Sequence, residues 1–174
     1  GDVYKRQYKF SINPFRNYTG TLKGNFKITD KLRLDVEPYY WYGFGTGGNQ
    51  LTTLAEGNVG TRFRFGLRDI NGDTDTADTI QVYRSSVTET HRPGVTVKAT
   101  YTWDNHRIVL GMWYERARHR QTAPATYIDN AGNSANFWLD NTALFLRRQD
   151  GSLYQNRDTL TISTGKSPFL QDTM

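Results

Sequence analysis

The chain has 174 residues, long enough for one sizeable domain, yet only 36% of them are apolar, and Tyr 11, Phe 9 and Trp 4 supply much of that hydrophobic surface. The formal net charge of +5 is spread along the chain without a basic run or stripe, which argues against a nucleic-acid partner, and the absence of cysteine excludes a disulfide scaffold and a thiolate zinc site. The longest apolar run, "IVLGMWY" at 108–114, falls far short of the roughly 20 residues a spanning helix needs, so helical membrane spans are excluded.

The opening "GDVYKRQ" (1–7) looks like translated sequencing-adaptor sequence, which would start the native reading near Tyr8. "YKFSI" (8–12) reads as the remains of a strand. Residues 17–28 alternate with period two: Tyr18, Leu22, Phe26 and Ile28 share a face, with Thr19, Thr21, Lys23, Asn25 and Lys27 opposite. "TDK" (29–31) is short enough only for a tight antiparallel hairpin. The next strand, 32–44, puts Leu32, Leu34, Val36, Pro38, Tyr40, Tyr42 and Phe44 on one side and Arg33, Asp35, Glu37, Tyr39 and Trp41 on the other. At about 3.3 Å per residue it reaches roughly 40 Å, far beyond an ordinary strand. Pro38 cannot donate to a ladder, so a local bulge is expected there. "GFGTGGNQ" (43–50) lacks the Lys-Ser/Thr of a phosphate loop and reads as the start of a surface loop.

Residues 46–92 read as one long polar loop. A second strand pair follows: 94–103 with Val95, Val97, Ala99, Tyr101 and Trp103 on one face, the turn "DNH" (104–106), then 107–117 with Ile108, Leu110, Met112 and Tyr114 together. Residues 118–157 read as a second long polar loop. A last strand, 158–172, loses phase around Gly165 to Pro168, where a bulge or early exit is expected.

The expected fold is therefore all-β, about six antiparallel up-and-down strands, with tight turns and long loops alternating along the chain. Successive connections of such a sheet lie at opposite ends, so one end carries tight turns and the other long loops, as in an outer-membrane barrel. A wall with lipid outside and a wet or plugged lumen inside would also explain why alternation is strict while overall hydropathy stays low. On this reading Tyr40, Tyr42, Phe44 and Tyr114 belong to an aromatic girdle at the long-loop end and Trp103 to the opposite girdle. A soluble antiparallel sheet with one face on a protein core has the same period and remains the alternative.

The combination "INPFRN", "GNFKITDKLRLDVEPYYWYGFGTGGNQ", the tight "DNHR" turn and the closing "FLQDTM" resembles the barrel of TonB-dependent outer-membrane receptors. The likeness extends over most of 8–174 and lies in strand, girdle and turn style. It implies a barrel of about 22 strands closed by an N-terminal plug, an outer-membrane location among lipid and lipopolysaccharide, and import of a scarce nutrient such as a ferric siderophore, driven by a TonB complex. Residues 8–174 would then be an open internal fragment of transmembrane barrel with two long extracellular loops, lacking the plug, the TonB-contacting segment and the closing strands. The alternatives are a passive porin-like barrel and a soluble β-sandwich module for carbohydrate.

No pattern points to an enzyme. His91, His106 and His119 lack zinc-like spacing, and no nucleophile elbow occurs. No resident cofactor is expected, with one qualification. In "DINGDTDTAD" (69–78), Asp69, Asn71, Asp73 and Asp75 stand at alternate positions where their oxygens could surround a hard cation such as Ca2+, although Thr74 and Ile80 break the EF-hand pattern and a solvated turn-rich loop is preferred. Arg62, Arg64 and Arg68 in the first loop, and Arg116, Arg118 and Arg120 beside the second with Arg147 and Arg148, would attract an anionic metal chelate. Contact with lipopolysaccharide phosphate, or plain solvation, is preferred to direct substrate contact for these arginines.

Overall fold

A computed structural model describes residues 10, 11, 13–47, 51–56, 69–148 and 150–174. Strands dominate: β1 (Phe15–Thr21), β2 (Gly24–Lys27), β3 (Leu32–Gly47), β4 (Leu51–Ala55), β5 (Thr79–Arg84), β6 (Ser86–Trp103), β7 (His106–Tyr127) and β8 (Gln155–Thr173), with a 3-10 turn at Thr142–Leu144. They form one eight-stranded antiparallel sheet in the order β1-β3-β6-β7-β5-β4, with β2 also on β3 and β8 also on β7. Among the described residues no helix is long and apolar enough to cross a membrane. The strand expected at 8–12 falls mostly outside the described residues, as do residues 1–7.

The described residues form two compact units. The first draws on 1–16, 44–89 and 120–159, and the second on 17–43, 90–119 and 160–174.

In the second unit the up-and-down order is direct. β2 pairs with β3 from Gly24↔Val36 to Lys27↔Arg33. The intervening turn closes as its length requires: Ile28 and Thr29 N–H both donate to Leu32 O (2.9 and 3.1 Å), and the Thr29 hydroxyl accepts from Lys31 and Leu32 N–H (3.2 and 3.0 Å). The second tight turn needs only Asp104 and Asn105, with Asp104 at φ 54°, a left-handed conformation that Asp tolerates.

Pro38 produces no bulge. Leu22 N–H donates to Pro38 O (3.0 Å), in step with the Gly24↔Val36 pair two residues on, so the register runs through unchanged. What proline removes is the reciprocal bond, and the partner strand breaks into β1 and β2 opposite it. Nor does the last strand falter. β8 is continuous through Gly165 to Pro168 and, among the described residues, is bonded only to β7, an edge position where proline is tolerated.

In the first unit the two long loops are much shorter than expected. Residues 43–47 are the end of β3 rather than a loop, and β6 and β7 start earlier or run further than their alternation suggested. Between them β4 and β5 pair from Leu51↔Tyr83 to Ala55↔Thr79, and β5 pairs with the end of β7 through Val82↔Tyr127 and Arg84↔Ala125. The connections left over are 56–78 and 128–154. These segments make an ordinary hydrophobic core of Leu54, Ile70, Val82, Ala125, Leu146 and Tyr154, flanked by Ile80. The second connection is stitched to β7 by Leu146 N–H on Ala125 O (2.8 Å) and folded on itself by Tyr154 N–H on Leu146 O (2.8 Å). Tyr83 is fully buried, its hydroxyl donating to Phe137 O (3.0 Å), and burial pushes that hydroxyl up to about 12.

Candidate functional site: the polar face of the strands and the carboxylates of the 56–78 connection

Along β7 of the second unit burial is inverted relative to a soluble sheet. Alternation along β7 leaves Leu110, Met112 and Tyr114 exposed at 59%, 41% and 37%, while Glu115 is 7% exposed. Elsewhere in the unit Tyr18, Leu22, Phe26, Tyr101, Leu160 and Ile162 are exposed and Asp35 is buried, while β1, β2 and β8 are largely exposed on both sides. Of the girdle residues expected from sequence, Tyr40, Trp103 and Tyr114 are exposed and Tyr42 is half-buried. Phe44 differs: it is buried in the first unit under the Arg16 guanidinium, 4.9 Å from its ring, and Arg16 also lies 5.1 Å from the Trp138 ring and pairs with Asp140 (3.1 Å).

The opposite face carries a connected polar network. The Tyr39 hydroxyl on β3 donates to Glu115 Oε2 on β7 (2.6 Å) and accepts from the Trp113 indole N–H (3.0 Å), while Arg92 on β6 donates from Nε to Glu115 Oε1 (3.0 Å) and lies over the Trp41 ring at 5.8 Å. Tyr39 and Trp113 come from strands separated by β6. They meet because β6 offers Gly94, where any Cβ would fall within the Tyr39 ring. The Trp113 ring in turn lies over Gly165 of β8, 2.6 Å from where a Cβ would stand. Strict alternation had placed Tyr39 and Trp41 on the charged side, but their contacts depend on strands distant in sequence.

Replacing Glu115 with Ala removes the acceptor for both Tyr39 and Arg92 and is expected to cost about 1–3 kcal/mol in a denaturant titration, with Glu115→Gln milder because it keeps one acceptor oxygen. Gly94→Val should disturb the same network by displacing the Tyr39 ring. If neither Glu115→Ala nor Gly94→Val shifts the unfolding midpoint, the network has no structural weight.

Of the arginines expected to attract a chelate, Arg116, Arg118, Arg120, Arg147 and Arg148 fall among the described residues. Arg62, Arg64 and Arg68 lie outside the described residues. Arg116, Arg118 and Arg120 continue the exposed side of β7 beyond Tyr114, alternating with the more buried Glu115, Ala117 and His119. Arg120 is taken by a two-point pair with Asp158 (3.0 and 2.9 Å). Arg147 and Arg148 donate to nearby backbone carbonyls, Gly151 O for Arg147 (3.0 Å) and, at the start of β8, Gln155 O for Arg148 (3.2 Å). The three histidines have separate partners: His91 meets Tyr40, His119 meets Thr90 (2.6 Å) and His106 meets Asp172 (2.9 Å).

The acidic 69–78 segment is reorganised relative to its spacing. Asp69 does not face a common centre with the others; its oxygens accept from Gly72 N–H (2.5 Å) and Thr74 N–H (2.9 Å). Asp75 Oδ1 accepts from Ala77 N–H (2.7 Å), and the Asn71 amide donates to Asp73 and Asp78 (2.9 and 2.8 Å). These are turn-forming contacts of Asx type. The carboxylates that do gather are Glu56, Asp73 and Asp78, whose oxygens lie within 4.8 Å of one another. The contact with the Glu56 carboxyl, followed by desolvation and the charges of Asp73 and Asp75, pushes Asp78 up to about 6. Glu56 escaped the sequence reading because it stands 22 positions before Asp78, and only the β4–β5 pairing makes them neighbours.

No family model, curated protein or solved structure matches this chain.

Proposed function

We propose that this chain is wall and surface-connection sequence of an outer-membrane barrel, of the TonB-dependent receptor kind that its strand, girdle and turn style resembles, serving uptake of a scarce nutrient such as a metal chelate. The observation that carries the membrane part of the reading is the inverted burial along β7 and at Asp35 of β3. Leu110 at 59% and Met112 at 41% exposure stand on one side, and Asp35 and Glu115, at 8% and 7%, on the other. Water penalises large contiguous apolar exposure, whereas hydrocarbon outside a polar interior favours this arrangement. A soluble sandwich would bury the oily face instead.

Two further features agree with it. Between the long strands the short turns 28–31 and 104–105 alternate with the long segments 48–85 and 128–154, as between the two sides of an outer membrane. Strands of 16, 18, 22 and 19 residues exceed what an apolar band about 25 Å tall requires, so they project beyond it. On β7 the exposed side changes from Leu110 and Met112 to Tyr114 and then to Arg116 and Arg118, the order expected from acyl chains through the interface to anionic headgroups. Among the described residues β8 and the β1/β2 pair each bond on one side only, and in lipid those edges have to be met by further strands.

Because the chain has no cysteine, single-cysteine spin labels report unambiguously. Labels at Leu34 and Leu110 in the closed barrel are expected to be accessible to oxygen and shielded from a water-soluble nickel chelate, with the reverse at Val109. Equal accessibilities at Leu110 and Val109 would remove the membrane reading. Loss of uptake on dissipating the proton gradient separates an energised receptor from a passive porin.

A further inference from the structure

We propose that Glu56, Asp73 and Asp78 form a binding site for a hard divalent cation of the Ca2+ class, which ties the end of β4 to the segment that leads into β5. The site goes beyond the transport reading and does not depend on it.

The geometry begins with backbone pairing. β4 ends at Ala55 opposite Thr79, the first residue of β5, so Glu56 and Asp78 face each other across the mouth of the connection, joined by Glu56 N–H on Asp78 O (3.2 Å). The Glu56 side chain is fully buried. Its Oε1 is held by Ile70 N–H (2.7 Å) and Asn71 N–H (3.1 Å), which fixes the carboxylate, while Oε2 is buried with no hydrogen-bond donor. Asp78 repeats the pattern: Oδ2 accepts from the Asn71 amide (2.8 Å), and Oδ1 is buried without a donor.

A buried carboxylate oxygen without a donor is costly, and two in one cluster of three acids are more so. A shared cation resolves both deficits at once. Carboxylate oxygens within 4.8 Å of one another suit a common ion at the 2.3–2.6 Å typical of Ca2+–oxygen bonds. The donors are all oxygen, with no histidine or thiolate, which selects a hard ion over zinc or copper. Water would complete the six to eight oxygens such an ion takes. Asp69, Asn71 and Asp75 act around this centre by shaping the turns and orienting Asp73 and Asp78.

The test is calorimetric titration of CaCl2 into chelator-stripped protein in detergent micelles. A single saturable site is expected, with a dissociation constant on the order of 10⁻⁴ M. Glu56→Gln and Asp78→Asn should each weaken it by roughly tenfold or more, because ligand charge sets affinity. Asp172→Asn, a charge loss on β8 outside the connection, should leave it within about twofold of the parent. Glu56→Gln retains an acceptor for Ile70 and Asn71 N–H, and amide exchange of those two residues in the absence of Ca2+ establishes that the connection is still folded. Ca2+ should slow exchange at both amides in the parent and not in the variants. No saturable binding by the parent, or binding that survives Glu56→Gln and Asp78→Asn, overturns the proposal.

Discussion

Leu146→Ala is expected to destabilise the first unit by about 2–5 kcal/mol, the cost of removing a fully buried leucine and leaving a cavity. Leu146 is 1% exposed and sits in the cluster with Leu54, Ile70, Val82, Ala125 and Tyr154. Its backbone also links the 128–154 connection to Ala125 of β7. The effect should appear as accelerated amide exchange at Val82 and Ala125. A polar, solvated loop would lose nothing measurable at this position, so a change below about 0.5 kcal/mol would refute the packed core.

Leu110→Arg carries the second large expectation. At an ordinary exposed position of a water-soluble protein such a change stays within about 0.5 kcal/mol. At the lipid-facing midplane of a barrel it costs about 2–4 kcal/mol. Leu110 is 59% exposed, with Met112 and Tyr114 following on the same side of β7. Urea unfolding from phospholipid vesicles, with and without the substitution, separates the two magnitudes. The smaller one would place water, not hydrocarbon, against this face.

Both expectations bear on what could be read along the chain. β3 and the two tight turns were legible because their information is local. Alternation from Leu32 to Phe44 sorts side chains to two faces at any register, and a connection as short as Thr29 to Lys31 permits only a hairpin. β4 and β5 were not legible. They are five and six residues long, too short for a periodic signal, and they are strands because of their partners. The continuation of β7 through "RHRQTAPATY" is likewise held by neighbours, not by the hydrophobicity of its own residues.

The same division runs through the sites. Spacing alone favoured Asp69, Asn71, Asp73 and Asp75, since alternate acids in a flexible loop look equivalent. In the folded connection Asp69 and Asp75 satisfy backbone N–H groups, and Glu56 takes the central place because a ladder ending at Ala55↔Thr79 delivers it there. Tyr39 was assigned to the correct face, yet its bonds to Glu115 and Trp113 required β6 to present a glycine between them.

What this sequence determined by itself was the β class, the two-faced character of the long strands and the position of the tight turns, because period and turn chemistry act over a few residues. Which buried oxygens remain without a donor, which rings cross a glycine, and that the supposed polar loops carry a core were decided only by tertiary structure. Those features arise between residues tens of positions apart, where strand register sets the distance.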